Sequence, residues 1–345
     1  MKLSLVSLGS EPGPRFLEQV KLAELLGFHA YLHAEEKAVR DPFARLGAAT
    51  QVTTRLGIGV DATDASGHET LIARAAASLE ELAPGRVRVV LAAGSRSQGN
   101  SNGPPAEAIR ALHGTAELMR AVWRGEAVAG REQPNRPLRE EKGTNDASKL
   151  YLCGGAPELL ELAGRIADGV LIETFARPAA VEDAKRHIQT GLQAAGRKWN
   201  DIRLCAVVPL QLSEQQDEAM PEEIREGACM AAWNMRKTLS ELMDALTPSA
   251  SYEFKGFIRQ ARELWSLPPL ETLRRLLPAG LLESFAVTGT GAQVTARLQE
   301  LAAADIDEVV IRAMLSPGES MIDFMYRLAR DVLPQFRERG SSSSV

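Results

Sequence analysis

Short apolar runs alternate with amphipathic segments along almost the whole chain, and this alternation is the feature that most limits the possible fold. The predicted strands are 2–8, 30–33, 56–60, 86–93, 149–153, 169–172, 202–212 and 308–311. The predicted helices are 15–26, 42–53, 68–82, 105–123, 156–166, 179–194, 292–303 and 321–332. Strands that alternate with helices form a parallel sheet, which is either closed into a barrel or left open. The first strand is not followed by the G-x-G-x-x-G loop of open dinucleotide-binding sheets. The eight strand–helix units therefore predict an α/β fold, a (β/α)8 TIM barrel.

Residues 213–282 interrupt this alternation between the last two predicted strands. They have a helical pattern throughout, so we expect a helical insertion before the last strand. A barrel of this size can form one domain, and residues 1–339 are accordingly predicted to be a single TIM-barrel domain. The Ser-rich residues 340–345 are predicted to be a disordered tail.

The composition argues against several classes of protein. The net charge of -5 gives no support for a nucleic-acid partner or an anionic membrane partner. No stretch approaches the roughly 20 apolar residues of a membrane span, and the first residues have the pattern of a strand and a turn rather than a signal peptide. Cys153, Cys205 and Cys229 lie far apart and form no CxxC pair, so we expect no disulfide and a reducing, cytoplasmic location.

The absence of two catalytic motifs from the sequence narrows the possible chemistry further. The chain has no H-E-x-x-H spacing, and its scattered His and acidic residues do not suggest a zinc site, so no metal is predicted. It also has no G-x-S-x-G motif, so hydrolase chemistry has no support.

The C-terminal ends of the strands select the candidate site residues, because TIM-barrel active sites lie there. Gly154, Gly155 and Ala156 stand between a predicted strand and a helix N-terminus, where free N–H groups and the helix dipole favour a phosphate. The alternative is a tight turn that merely needs glycine. The third and fourth strands supply the further candidates Gly59, Val60, Asp61, Gly94 and Ser95.

Glu35 and Glu36 follow the second predicted strand as a pair of adjacent acids. Such a pair can transfer protons or bind a ring hydroxyl. Alternatively, it is a solvated acidic loop that pairs with the basic residues next to it. His68 opens a helix beside a loop rich in Asp, Ser and Thr, where it lines a pocket or lies on the surface. His33 ends an apolar run and could equally be a packed core residue.

Five segments carry a resemblance to a known family. They are VKLAELLGFHAYLHAEE, RDPFARLGAATQVTTRLGIGV, ARAAASLEELAPGRVRVVLAAGS, LYLCGGAPELLELAGRIADGVLIE and VTGTGAQVTARLQELAAADIDEVVI. They occur in family order over nearly the whole chain. Together they resemble the bacterial luciferase-like superfamily, and they are most similar to its branch of methylenetetrahydromethanopterin reductases and deazaflavin-dependent glucose-6-phosphate dehydrogenases.

The resemblance implies a barrel with an insertion before the last strand, usually in a homodimer. It implies that FMN or the deazaflavin coenzyme F-420 lies across the strand ends, with its phosphate at the loop matching Gly154, Gly155 and Ala156. In the family, a bulge with a non-proline cis peptide ends the third strand behind the coenzyme ring. The matching pair in this chain is Gly59–Val60.

The chain departs from the family pattern close to the reacting groups. In the family an acid followed by His ends the second strand; Glu35 matches the acid, and Glu36 stands where the His is expected. Residues 61–67 also differ from the family's Asn-Pro and basic residue, which precede the His matching His68. The candidate catalytic residues are therefore Glu35, Glu36 and His68.

Three functions remain open at this point. The first is a deazaflavin-dependent oxidoreductase that moves a hydride between the coenzyme and a small organic substrate. The second is an FMN-dependent monooxygenase that takes reduced flavin from a partner reductase. The third is a non-catalytic subunit or ligand binder, which the missing His after Glu35 supports. The substrate pocket is expected to involve residues 95–103 and the insertion.

Overall fold

Eight parallel strands close into a ring in a computed structural model of the chain. The structure describes residues 1–7, 9–34, 40–62, 68–92, 105–124, 126, 149–172, 178–214, 256, 272, 286–316 and 318–336. The ring strands are β1 (Lys2–Ser7), β2 (Ala30–Ala34), β3 (Gly57–Asp61), β4 (Val87–Ala92), β5 (Lys149–Cys153), β6 (Gly169–Ile172), β7 (Arg203–Leu212) and β9 (Glu308–Ala313). Pairing runs from β1 to β7 in chain order and then through β9 back to β1. The predicted TIM barrel is confirmed.

Helices follow the strands and cover the outside of the ring. They are α1 (Gly13–Leu26), α2 (Pro42–Thr50), α3 (Glu69–Leu82), α4 (Pro105–Trp123), α5 (Pro157–Ile166), α6 (Pro178–Ala194), α7 (Gly291–Ala303) and α8 (Met321–Asp331). Short 3-10 turns lie at Trp199–Asp201 and Leu333–Gln335. Side-chain capping explains where three of the helices begin. The side chains of Asp41, Thr290 and Ser320 accept hydrogen bonds from backbone N–H groups in the first turns of α2, α7 and α8.

A further short strand, β8 (Val287–Gly289), was missed by the sequence interpretation. It pairs in parallel with residues 210–212 at the end of β7, beside the eight-strand ring. Three residues are too few to show the alternation that identifies a strand. The predicted insertion lies outside the described residues, except for 213, 214, 256 and 272, and so does the predicted tail.

The core has two layers because successive strand residues point to opposite sides. Outward side chains such as Leu3, Leu5 and Ile58 pack against the helices. The inward side chains form a second cluster inside the barrel. Its buried members are Ala30, Leu32, Val90, Tyr151, Cys153, Leu171, Cys205 and Val310.

An ion pair and an aromatic ring fill the N-terminal half of the barrel. Arg88 Nη1 donates to both carboxylate oxygens of Glu308, at 2.9 and 3.1 Å. The Arg88 guanidinium also lies 5.4 Å from the centre of the Tyr151 ring. A Cβ at Gly169 would lie 2.1 Å from that ring, so the glycine leaves the space that Tyr151 occupies. This filled end directs any ligand to the opposite end of the barrel.

Candidate active site

The barrel interior becomes more accessible toward the C-terminal ends of the strands. Five of the described inward-facing residues near this end are half-buried, namely Val6, Ala92, Val207, Pro209 and Arg312, whereas Asp61 and Cys153 at the same end are buried. Deeper inward residues, including Cys205 and Glu308, are buried. We call this C-terminal opening the mouth. Its described wall consists mainly of small or apolar side chains, which suits a flat organic ring.

Asp61 places a carboxylate on the wall of the mouth. It is the last residue of β3, and its neighbours in register are Ala34 on β2 and Val90 on β4. Gly59 faces inward, so Asp61, two residues later, faces inward as well. The residue is only 5% exposed. A buried carboxylate beside a ligand space can accept hydrogen bonds from that ligand.

The expectation of a bulge and a cis peptide at Gly59–Val60 is wrong. None of the peptide bonds in the described part of the chain is cis, and β3 pairs with β2 in unbroken register from Gly57 to Asp61. Packing explains the glycine at position 59. A Cβ there would lie 2.8 Å from Arg88 Cγ and 2.9 Å from Leu32 Cγ. Gly59 therefore makes room for two interior side chains, and Val60 packs outward among the core residues.

The loop after β5 forms a turn that ends at a helix N-terminus. The Gly154 N–H donates to the Leu171 carbonyl at 3.0 Å, which extends the pairing of β5 and β6. Leu160 N donates to the Ala156 carbonyl, so the N–H groups of Glu158 and Leu159 precede the first such bond of α5. Ala156 is the N-cap residue, and its methyl group cannot accept a hydrogen bond. These features suit an anion at the start of α5.

The backbone conformation and packing at position 154 require glycine whether or not a ligand binds. Its φ is +153°, and a Cβ there would lie 3.0 Å from Leu159 Cδ1. The turn interpretation therefore accounts for Gly154, whereas phosphate binding at Gly155 and Ala156 remains a prediction.

A buried polar cluster supports the loop after β1. Arg45 Nη1 lies 3.3 Å from the Gly9 carbonyl oxygen, 3.5 Å from Glu11 Oε1 and 3.4 Å from His33 Nε2. The His33 ring packs edge-on against Phe16 with 5.7 Å between ring centres. His33 thus belongs to the layer between β2 and the helices, as a packed residue. Burial and the neighbouring Arg45 lower the pKa of His33, which favours its neutral form.

The remaining predicted site residues fall into two groups. Glu35, Glu36, Gly94 and Ser95 lie outside the described residues. His68 is exposed and occupies the N-cap position of α3. The structure therefore brings Asp61 and the loop of Gly154 to the same end of the barrel, while a role for the candidate acids stays a prediction.

The sequence interpretation missed Arg312. The predicted last strand ended at residue 311, but β9 continues to Ala313 and carries Arg312 on its inward face. A signal was present: Glu308, Val310 and Arg312 are spaced by two residues, so they share one face of a strand. Arg312 is half-buried at the level of Val6 and Pro209, its neighbours in register.

The described residues contain neither a metal-ligand group nor a membrane-spanning helix. No group of three or more His, Cys, Asp or Glu residues among them is arranged to hold a metal ion. None of the described helices is long and apolar enough to cross a membrane.

A filled barrel base and an open mouth are the features of a TIM barrel, a class of protein in which ligands bind at the C-terminal ends of the strands. The comparison with protein families narrows this class. Residues 4–308 match the family described as luciferase-like monooxygenase. The chain belongs to this family.

Similar proteins include reductases, a dehydrogenase and a monooxygenase. The chain is 22% identical over 325 residues to 5,10-methylenetetrahydromethanopterin reductase of Methanolobus tindarius, covering 92% of this chain and 96% of that protein. A solved F-420-dependent secondary alcohol dehydrogenase, in complex with an F-420–acetone adduct, matches with a TM-score of 0.70 at 17% identity, covering 98% and 99% of the two chains. The long-chain alkane monooxygenase LadA matches with a TM-score of 0.66 at 15% identity, covering 100% and 93%. The structural matches support the barrel fold.

Proposed function

We propose that this protein is an oxidoreductase that transfers a hydride between the deazaflavin coenzyme F-420 and a small organic substrate. The observation that carries the proposal is similarity along nearly the full length to a reductase, together with the fold shared with an F-420-dependent dehydrogenase. The mouth fits such a coenzyme, because its described wall offers small and apolar side chains and one buried carboxylate.

The start of α5 would hold the coenzyme phosphate. Gly155 and Ala156 precede the helix, and the N–H groups of Glu158 and Leu159 lie at the positive end of its dipole. Gly94 and Ser95 are proposed to contact the coenzyme from the end of β4. When bound, the coenzyme supplies the hydride chemistry.

The mouth would serve the reaction by positioning groups and excluding water. Ala92, Cys153 and Val207 lie on inward faces of three strands and would limit the access of water to a bound ring. Asp61 would accept a hydrogen bond from a ligand N–H or O–H group. Glu35 is the proposed acid that holds or moves the proton at the substrate, with Glu36 and His68 as further candidates.

The proposed setting is a homodimer in the cytoplasm with a small-molecule substrate. The described part of the early barrel units supports an interface, because Leu25 on α1 and Leu71 and Leu82 on α3 are large apolar residues with 80%, 68% and 51% exposure. Exposed apolar surface of this kind is common where a second chain packs.

An FMN-dependent monooxygenase is the second candidate function. The observation in its favour is the fold shared with the alkane monooxygenase over this whole chain. Such an enzyme would need a partner reductase to supply reduced flavin. The two candidates differ in their use of oxygen.

Turnover with and without oxygen tests the proposal. Purified protein is incubated with oxidised F-420 and a panel of small alcohols, hydroxy acids and sugar phosphates, and separately with reduced FMN, while coenzyme absorbance and dissolved oxygen are recorded. We expect F-420 reduction that proceeds without oxygen and falls about 10²-fold or more in Glu35→Gln. Oxygen uptake with reduced FMN above the protein-free rate, without any F-420 reduction, would support the monooxygenase instead.

A further inference from the structure

The inward face of β9 carries two charged residues, one in the filled half of the barrel and one near the mouth. Glu308, its first residue, is buried and bound to Arg88 in the filled half of the barrel. Val310 follows in the interior cluster. Arg312 is the next residue on the same face and is only half-buried. Arg312 therefore belongs to the accessible half of the interior.

The two strand residues paired with Arg312 in register are apolar. Its partners in register are Val6 on β1 and Pro209 on β7, and both are half-buried residues on inward faces. A charge beside apolar groups and partly removed from water interacts more strongly with an opposite charge than it would in free solvent. This location favours an anion that enters the mouth.

The charged groups of the mouth stand on different walls. Among the described inward residues above the Arg88–Glu308 pair, the charged side chains are Asp61 on β3 and Arg312 on β9. Strands β1 and β2 separate these two strands in the ring. Asp61 is the more buried of the two residues. An anionic group is therefore expected on the β9 side rather than on the β3 side.

The position of β9 distinguishes substrate from coenzyme phosphate. The proposed phosphate site follows β5, and β6 and β7 lie between β5 and β9 in the ring. Arg312 on β9 and the proposed phosphate site after β5 therefore lie on different walls of the mouth.

We propose that Arg312 is a specificity-determining residue that binds an oxyanion of the substrate, a carboxylate or a phosphate ester. This inference rests on the proposed function, because it takes the reacting ligand to lie in the mouth. The planar guanidinium matches the two oxygens of such a group. Its five N–H donors allow Arg312 to retain a protein partner and still bind the substrate. The substrate class is a small organic acid or phosphate ester with a group that accepts or donates a hydride.

Matched anionic and neutral probes test this assignment without requiring turnover. The affinities of benzoate, phenyl phosphate and neutral benzamide are measured by calorimetry, with and without bound F-420. The wild-type protein should bind at least one anion about tenfold or more tightly than benzamide. Arg312→Gln should abolish this preference, and Arg312→Lys should retain part of it because it keeps the charge but loses the planar fork.

Arg203→Gln is the matched control. Arg203 is the first residue of β7, at the closed end, and its side chain is 64% exposed and 3.4 Å from Asp307. Its substitution should leave the anion preference unchanged. F-420 affinity and circular dichroism confirm that each variant is folded.

Several outcomes would overturn the assignment. These are equal binding of anions and benzamide by the wild type, a preference that survives in Arg312→Gln, and a loss of F-420 affinity in Arg312→Gln as large as the loss of anion affinity. The last result would assign Arg312 to the coenzyme. Failure of the proposed coenzyme alone is separable, because it would abolish F-420 binding while the anion preference of the free protein still depended on Arg312.

Discussion

At the scale of single residues, the buried Arg88–Glu308 pair shows how charge is tolerated inside the barrel. Burial disfavours the carboxylate, but Arg88 and the Ser4 hydroxyl lower the pKa of Glu308 below its ordinary value. Burial likewise disfavours the guanidinium, but Glu308 raises the pKa of Arg88. Each group therefore keeps the other ionised, and removing one partner leaves the other as an uncompensated buried charge.

Glu308→Gln should strongly destabilise the protein. We expect a loss of about 3–5 kcal/mol in the free energy of unfolding, because Arg88 loses its buried counterion. Urea denaturation followed by circular dichroism measures this loss. Glu300→Gln removes an exposed carboxylate paired with Arg297 and should change stability by less than about 0.5 kcal/mol.

The same pair predicts a pH dependence. The folded pKa of Glu308 lies below the ordinary 4.5, so the unfolded chain binds more protons between these values. Stability from this group is present above pH 4.5 and is lost as the pH falls through the folded pKa. Glu308→Gln should remove that contribution, so equal acid sensitivity in the variant and the wild type would contradict this interpretation.

Gly9→Ala tests the cluster that supports the loop after β1. Gly9 has a φ of +73°, and a Cβ there would lie 2.6 Å from His33 Cε1. Gly85→Ala is the matched control, since Gly85 has a φ of +72° and no heavy atom within 4 Å of the added Cβ. Gly85→Ala should cost roughly 1 kcal/mol for the backbone alone, and Gly9→Ala about 1–3 kcal/mol more. Equal melting curves for the two variants would show that His33 moves away freely.

Residue positions could be predicted from the sequence only in part. Asp61 and Gly154 were selected as candidates because they directly follow predicted strands. Arg312 was missed because the predicted strand ended one residue early, although its spacing from Glu308 carried the signal. The pairing of Arg88 with Glu308 joins residues 220 positions apart, and no local pattern reveals such a contact.

At the scale of elements, the start of α5 is the proposed site of the coenzyme phosphate. The N–H groups at the helix start favour an anion, and Glu158 places an exposed carboxylate in the same first turn. A carboxylate there would compete with a phosphate for the positive end of the helix dipole. A side chain added at Gly155 and the removal of the charge at Glu158 should therefore have opposite effects on F-420 affinity.

Gly155→Val should weaken F-420 binding about tenfold or more, because a side chain would block close approach of the phosphate to the backbone. Glu158→Gln should strengthen binding roughly two- to fivefold by removing a competing charge. Fluorescence titration measures both affinities, and circular dichroism checks the fold. Unchanged affinity in both variants would reduce this loop to a plain turn.

Most helices and strands could be predicted from the spacing of apolar residues and from the glycine residues that end helices. Strands buried on both faces appeared as apolar runs, as in β4, and glycine marked the end of α1 at Gly27, whose φ is +88°. The short β8 had too few residues to show a pattern. The unbroken register of β3 also differs from the bulge that the family resemblance implied. The sequence could not reveal this difference, because the packing of Arg88 against Gly59 is a contact between two strands.

At the scale of the whole molecule, the count of strand–helix units predicted closure of the ring. The order of pairing followed, because consecutive parallel strands joined by helices lie side by side. The two layers of the core also followed from alternation along each strand. The contacts inside the barrel could not be predicted, because they depend on which inward-facing side chains meet across the ring.

The proposed homodimer is a prediction at this scale. Light scattering at micromolar concentration should give twice the 37.3 kDa chain mass, and an obligate interface should bury at least about 2,000 Å². Leu71→Lys and Leu82→Lys on α3 should shift the protein toward the monomer because they place charge in an apolar contact. A wild-type monomer would contradict the prediction.

Coenzyme titration tests the central claim most directly. Purified protein is titrated with F-420 and, separately, with FMN, and coenzyme fluorescence and protein fluorescence are recorded. We expect saturable binding of F-420 at least about tenfold tighter than that of FMN, a difference of about 1.4 kcal/mol. Tighter binding of FMN, or no saturable binding of either coenzyme, would contradict it.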